Sequence, residues 1–185
     1  MKDCYEIQVA GLTRQLPLFK VKDGLQIAAF IMFGDVELTC TCAKELIRIA
    51  PEHDIMITAE AKSIPLICEM ARQAGENTYV IARKGPKVYM KNVVYTHVDS
   101  ITTDHQQILC IGQDEIDKLS GKRVLIVDDV ISTGESLAAL EKLVNQVGGN
   151  IVGKMAVLAE GDAMNRDDII YLEPLPLFDE DGNAK

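Results

Sequence analysis

The sequence predicts an α/β protein in which helices flank a central, mostly parallel sheet. Two strand–loop–helix units carry this prediction: aliphatic residues 55–58 precede an amphipathic stretch at 64–74, and residues 124–127 precede another at 135–147. A further aliphatic run follows at 151–159. Strands that alternate with helices in this way favour a parallel sheet covered on both faces.

The N-terminal segment, residues 1–35, does not share this alternation and is expected to form a small lobe beside a core at 36–185, within a single domain overall. Residues 19–33 alternate loosely between apolar and polar, which predicts one strand or a pair of strands. Asp35 is a suitable N-cap for a helix over 36–49.

The remaining elements are shorter. They are a strand at 79–82, a strand at 108–111, a helical turn at 114–119 and a last strand at 169–172. Residues 88–107 are the least regular stretch, in which 93–96 is expected to pair as a ribbon and the polar residues after 99 predict a mobile loop.

Composition limits the possible functions. The chain has 185 residues, enough for one domain with a sizeable core, and its 48% hydrophobic and 25% charged content is ordinary for a globular protein. The formal net charge of −9 disfavours broad binding to nucleic acid or to an anionic membrane. A local basic pocket for a small polyanion remains compatible with that charge.

Cysteine usage and the N-terminus indicate a soluble, cytoplasmic protein without a targeting segment. The odd count of five cysteines, without any C-x-x-C pair, predicts free thiols in a reducing compartment. Cys40, Cys42 and Cys68 are expected to be buried on helices. The three histidines lack metal-ligand spacing, and no stretch reaches transmembrane length.

Residues 124–136 hold the most informative pattern. A buried strand ends in two acids, Asp128 and Asp129, and a short loop then leads into a helix. Backbone N–H groups and the helix dipole at such a turn bind anions. The candidate phosphate ligands are Ser132, Thr133, Gly134, Glu135 and Ser136. Because two carboxylates would repel a phosphate, they must hold another group, such as sugar hydroxyls or a magnesium-bound oxygen.

This pattern resembles the signature by which type I phosphoribosyltransferases bind phosphoribosyl pyrophosphate (PRPP), except that the family often has Gly at Glu135. The alternative is an ordinary strand–helix turn with an Asp cap; Walker and dinucleotide spacings are absent. The resemblance implies the type I phosphoribosyltransferase fold, with a small N-terminal hood at residues 1–35. It also implies that the catalytic residues Asp128 and Asp129 hold the ribose hydroxyls.

Two further segments carry a weaker resemblance. The loop Glu60, Ala61, Lys62 and Ser63 follows a strand and is similar to the pyrophosphate loop of adenine phosphoribosyltransferases, which usually have Arg and Gly at the last two positions. The turn with Arg83, Lys84 and Lys87 resembles another pyrophosphate contact of that family. In isolation both segments are also compatible with solvated surface loops.

The purine base is expected to contact Leu25, Ile27 and Val130, with the first two in the hood. Xanthine enzymes tend to place a Lys where this chain has Gly161, which favours adenine. No proton-transfer residue is assigned, because Asp99, Ser100 and Asp104 stand where adenine enzymes have Glu-Tyr-Gly.

The resemblance therefore implies a homodimeric, Mg²⁺-dependent purine phosphoribosyltransferase that converts adenine and PRPP into AMP and pyrophosphate. PRPP would bring the Mg²⁺, and the protein groups available to contact it are Asp128 and Asp129. One alternative is a xanthine or hypoxanthine/guanine enzyme. Another is a non-catalytic PRPP-sensing regulator, although the 35 residues before the first predicted helix are too few and too apolar for a winged helix.

Overall fold

The computed structural model describes residues 2–98 and 107–185. The elements are, in chain order, β1 (Cys4–Val9), β2 (Leu12–Lys22), β3 (Leu25–Ala28), α1 (Val36–Ile49), β4 (Ile55–Ala59), α2 (Ile64–Ala74), β5 (Val80–Ala82), β6 (Val94–Val98), β7 (Gln107–Ile111), α3 (Gln113–Leu119), β8 (Arg123–Ile131), α4 (Glu135–Gln146), β9 (Asn150–Glu160), a 3₁₀ turn (Gly161–Asn165) and β10 (Ile170–Leu175).

The central sheet has five parallel strands in the order β10-β9-β8-β4-β5. Side chains of β8 alternate between two hydrophobic clusters: Leu125 and Val127 pack with α1 and α2, whereas Val124 and Ile126 pack with α4. Both faces of the sheet are therefore covered, and the predicted α/β class and parallel core are confirmed.

Strand β8 is longer than the sequence indicated. Its pairing with β9 continues past the aliphatic run, with Asp128 opposite Ala156 and Ile131 opposite Ala159. Asp128 and Asp129 thus lie within the strand and do not follow it. The two acids suggested that the strand ended before them. The apolar residues Val130 and Ile131 instead continue the pairing with β9.

The local signals of α1 and α2 act as expected. Asp35 caps α1 by accepting a hydrogen bond from the Leu38 N–H at 2.9 Å, and it also pairs with Arg14 of β2 at 2.7 Å. Helix α2 ends at Gly75, whose φ of +74° suits glycine. The Arg14 pair connects the N-terminal segment with the first helix of the core.

The N-terminal segment forms an antiparallel sheet in the order β1-β2-β3, which has more strands than the one or two predicted. It docks on the core through Phe178, which is 1% exposed and whose ring centroid lies 4.9 Å from that of Tyr5. Gln26 and Phe178 also exchange two backbone hydrogen bonds, at 2.9 and 3.0 Å. The boundary between hood and core at residue 35 stays a prediction.

Strands β6 and β7 form a separate antiparallel ribbon, as predicted for 93–96. Backbone bonds between Arg83 and Cys110 join this ribbon to the turn after β5. The predicted mobile loop, with Asp99, Ser100 and Asp104, lies outside the described residues.

All five cysteines are free thiols, as predicted. Cys42 is buried and Cys40 is partly buried, but Cys68 is exposed, so its predicted burial is wrong. It lies on α2, whose buried side chains are Leu66, Ile67, Met70 and Ala71. Within the ranges that the structure covers, no helix combines the length and apolarity needed to cross a lipid bilayer.

We expect Phe178→Ala to lower the free energy of unfolding by about 3–5 kcal/mol, because it leaves a cavity between the N-terminal sheet and the core. Phe19→Ala is the matched control: Phe19 is 55% exposed, and its removal should change stability by less than about 0.5 kcal/mol. Urea denaturation of both variants measures the difference. Equal effects would mean that the ring of Phe178 does not hold the hood to the core.

Candidate active site

The loops that follow β4 and β8 meet at one edge of the central sheet. Because the two strands are parallel neighbours, their carboxyl ends lie side by side. Two cavities open there, of about 170 and 110 Å³. Among the residues that the structure describes, Asp128, Val130 and Ser136 line both cavities.

The smaller cavity is built by the β8–α4 loop and the first turn of α4. All five candidate phosphate ligands, residues 132–136, line it. Gly134 occupies the N-cap position with φ of +80°, and no side chain caps the helix. The first N–H groups of a helix have no intrahelical partner, so this turn can offer them to an anion.

The two acids share a single hydroxyl from the β4–α2 loop. The Ser63 Oγ lies 2.6 Å from Asp128 Oδ1 and 3.1 Å from Asp129 Oδ1, and it accepts the Asp129 N–H at 2.8 Å. Lys62 Nζ lies 2.8 Å from Asp129 Oδ2, in an ion pair without hydrogen-bond alignment. Asp129 is 2% exposed, so its charge is compensated almost entirely by protein groups.

Asp128 differs from its neighbour because it borders both cavities. Burial of its carboxyl raises its pKa to about 7, and the adjacent charge of Asp129 adds to the shift. Its Oδ1 is occupied by the Ser63 hydroxyl and by the Asp129 N–H at 2.9 Å. Asp128 Oδ2 is therefore the carboxylate oxygen with acceptor capacity for a ligand hydroxyl.

The larger cavity is lined by the β4–α2 loop and by Lys84. Glu60 turns toward the basic segment instead of toward the acids: its Oε2 accepts the Lys84 N–H at 3.0 Å and the Arg83 Nε–H at 3.3 Å. These bonds lower the pKa of Glu60, the one from the Lys84 backbone most. Lys62 and Lys84 are thus the cations at the cavity wall.

The structure brings most of the predicted pyrophosphate residues together, but not all. Residues 60–63 and Lys84 line the larger cavity, whereas Arg83 and Lys87 do not. Arg83 is held beside it through Glu60. The peptide bond between Glu60 and Ala61 is cis.

The predicted base contacts are separated. Val130 lines both cavities, but Leu25 and Ile27 of β3 line neither. Strand β3 is tied to the segment at Phe178 by the Gln26 backbone bonds, and Leu25 borders a different cavity beside Lys20 and Lys22. The base-binding role of these hood residues stays a prediction.

Sequence reasoning missed Arg166. A Cβ on Gly134 would lie 2.7 Å from Arg166 Nη1, so this guanidinium stands directly against the β8–α4 loop. Two hydrogen bonds to Asp168, at 2.8 and 2.7 Å, fix its plane. The available signal was its position shortly after a third parallel strand, β9, at the same edge of the sheet.

Comparisons with known proteins agree with this geometry. The model of the phosphoribosyl transferase domain matches residues 41–173. Adenine phosphoribosyltransferase of Thermotoga sp. (strain RQ2) is 36% identical over 123 residues, which cover 66% of this chain and 64% of the relative. The Mycobacterium avium adenine enzyme is 29% identical over 91% of this chain and 89% of its own length. A hypoxanthine/guanine phosphoribosyltransferase of Methanococcus voltae is 28% identical over 79% and 71%.

Solved structures show the same fold. Adenine phosphoribosyltransferase of Thermoanaerobacter pseudethanolicus superposes with a TM-score of 0.71 at 21% identity, over 86% of this chain and 95% of that one. The Saccharomyces cerevisiae enzyme, solved with an imino-altritol bisphosphate and adenine, gives 0.67 at 20% identity, over 85% and 92%.

The alignment with the first curated relatives spans less than two thirds of their length, 64% for the Thermotoga sp. enzyme. The domain model, by contrast, runs from α1 into β10 and includes both loops and the paired acids. This chain therefore belongs to the phosphoribosyl transferase domain family.

Proposed function

We propose that this chain is a purine phosphoribosyltransferase that transfers the phosphoribosyl group of PRPP to adenine, giving AMP and pyrophosphate. The observation that carries the proposal is the pair of cavities that share Asp128. One has a helix N-terminus suited to a phosphate, and the other has two lysines suited to a second anion. PRPP matches this arrangement of two anion sites around Asp128, since it carries a phosphate and a pyrophosphate on either side of a ribose diol.

The residues would act mainly through position and charge. Residues 132–136 hold the 5′-phosphate, and Asp128 Oδ2 accepts a hydrogen bond from a ribose hydroxyl. The negative charges of Asp128 and Asp129 favour the positive charge that develops on the ribosyl ring. Lys62 moves from Asp129 toward the leaving pyrophosphate, which its 55% exposed side chain permits.

Magnesium fits this site as a companion of PRPP. Among the residues that the structure covers, no group of three His, Cys, Asp or Glu side chains could hold a metal by itself. Adjacent carboxylates suit a hard cation whose other ligands are PRPP oxygens, so Asp128 and Asp129 would be its protein contacts. Bound there, Mg²⁺ would neutralise charge on the leaving pyrophosphate.

Adenine is favoured over an oxopurine by the surroundings of Gly161. Gly161 has no side chain that could donate to a carbonyl, and a Cβ there would already lie 3.1 Å from the apolar side chain of Leu177. Several relatives named as adenine enzymes support the same choice. The hypoxanthine/guanine relative keeps an oxopurine enzyme as the second candidate.

A homodimer and a cytoplasmic location stay predictions. Ile31, Phe33 and Val36 are more than half exposed, which is consistent with a covered surface in a dimer.

Substrate choice is tested by measuring pyrophosphate release from PRPP with adenine, hypoxanthine, guanine or xanthine. We expect kcat/KM for adenine to exceed the others by roughly 10⁴-fold, because a site that pairs one hydrogen-bond pattern leaves buried groups unpaired with another. A competing oxopurine within tenfold would contradict the argument from Gly161. PRPP binding without release for any base would favour the non-catalytic regulator.

Gly134→Val should weaken PRPP binding by about 100-fold or more, because the branched side chain meets Arg166, must adopt a positive φ and displaces the loop. Gly148→Val is the matched control. Gly148 has φ of +77° after α4, and its nearest neighbour to a Cβ is Ser120 Oγ at 3.7 Å. The control should lower the melting temperature but keep PRPP affinity. Titration calorimetry that shows equal affinities for both variants would remove the loop from the phosphate site.

PRPP affinity should rise with pH up to about 7, since a hydroxyl that donates to Asp128 requires the ionised carboxylate, whose pKa is raised to about 7. Below that pH, binding must release a proton, and affinity gains up to about tenfold per pH unit. Calorimetry in buffers of different ionisation enthalpy measures this release. PRPP phosphates also titrate, so Asp128→Asn serves as the reference. An identical proton release in the wild type and in Asp128→Asn would contradict the assignment.

A further inference from the structure

Ser63 occupies the N-cap position of α2, but its side chain does not cap that helix. Serine at this position normally accepts a hydrogen bond from an N–H of the first turn. Here the hydroxyl donates a hydrogen bond to Asp128 Oδ1 at 2.6 Å, although Asp128 lies 65 residues later in the sequence. Ser63 is 1% exposed, so this arrangement is a buried contact between two loops.

The hydrogen-bonding capacity of this hydroxyl is used by the two acids. It accepts the Asp129 N–H at 2.8 Å, and its one proton is donated to Asp128 at 2.6 Å or to Asp129 at 3.1 Å. The hydroxyl therefore has no proton left for a pyrophosphate oxygen. Its expected role as a direct pyrophosphate ligand conflicts with this geometry.

We propose, resting on the proposed function, that Ser63 is a positioning residue that couples the β4–α2 loop to the paired acids. By holding Asp128 Oδ1, it turns Oδ2 toward the ribose hydroxyls. By accepting the Asp129 N–H, it fixes the backbone of β8 at the same point. The backbone of Ser63 is itself held at the start of α2, where its carbonyl accepts the Ile67 N–H at 3.0 Å.

The second contact between this loop and the acids is the Lys62–Asp129 ion pair. Lys62 is exposed and lines the larger cavity together with Lys84, so a bound pyrophosphate draws it away from Asp129. Ser63 has no such competing partner. It therefore keeps the β4–α2 loop bonded to the acids while Lys62 moves.

Steady-state kinetics of Ser63→Ala distinguish positioning from direct binding. We expect kcat to fall about 10- to 100-fold, because the orientation of Asp128 toward the ribosyl ring is lost. The inhibition constant for pyrophosphate should stay within about twofold of the wild type, since no bond to pyrophosphate is removed. Ser63→Thr retains the hydroxyl and should recover kcat to within about threefold.

Controls separate this effect from a loss of stability. Thr39→Val removes another buried hydroxyl, which donates to the Asp35 carbonyl at 2.8 Å and lines neither cavity at the acids, and should leave kcat unchanged. Ser63→Gly is a second hydroxyl-free variant that an N-cap position tolerates, so a folding defect peculiar to alanine does not decide the result. Unchanged kcat in Ser63→Ala, or a raised pyrophosphate inhibition constant as its main effect, would overturn the proposal.

A second measurement needs no activity. Hydrogen exchange of the Asp129 amide in the ligand-free protein should accelerate about tenfold or more in Ser63→Ala and Ser63→Gly, but not in Thr39→Val. If the wild-type protein transfers no phosphoribosyl group and the variants still show this exchange pattern, the proposed function is refuted and the coupling stands. Unchanged exchange in an active enzyme would refute the coupling alone.

Discussion

The parallel pairing of β4 with β8 is the constraint on which the candidate site depends. Ile55, Met56 and Ile57 pair with Val124, Leu125 and Ile126, so both strands run in register through the buried centre of the sheet. A parallel register brings both carboxyl ends to the same edge. Ser63 can then reach the acids although 65 and 66 residues separate them in sequence.

This arrangement concentrates negative charge where the proposed function requires a polyanion to bind. Asp128 and Asp129 are adjacent on a buried strand, and the chain carries a net charge of −9. Burying two such carboxylates is costly unless they are paired or share a proton. The Ser63 hydroxyl, the Asp129 N–H and the Lys62 ammonium reduce that cost, and so does protonation of Asp128, whose pKa is raised to about 7. A ligand that brings hydroxyls and a divalent cation to the acids can replace these compensations.

A feature could be predicted from the sequence when the residues that determine it lie close together in the chain. The α1 cap at Asp35, the end of α2 at Gly75 and the loop at 132–136 rest on local signals, and each lies where the pattern placed it. Strand β1 and the true end of β8 depend on pairing with partners, which composition does not show. The direction of the Ser63 side chain and the contact of Arg166 with Gly134 join segments far apart in the chain, so only the fold reveals them.

The two halves of the site differ in how firmly they are held. Behind the β8–α4 loop, ion pairs connect Arg166 to Asp168, Asp168 to Lys154, and Lys154 to Glu141 of α4 at 2.8 Å. These contacts run from Gly134, the N-cap of α4, against which Arg166 lies, to Glu141 within the same helix. On the other side, Lys62 extends from a short loop and is 55% exposed. Preorganised donors bind a phosphate with little reorganisation, whereas a leaving group needs a cation that can follow it. In the proposed reaction, the half held by ion pairs therefore suits the phosphate that stays in place, and the half with the exposed Lys62 suits the pyrophosphate that departs.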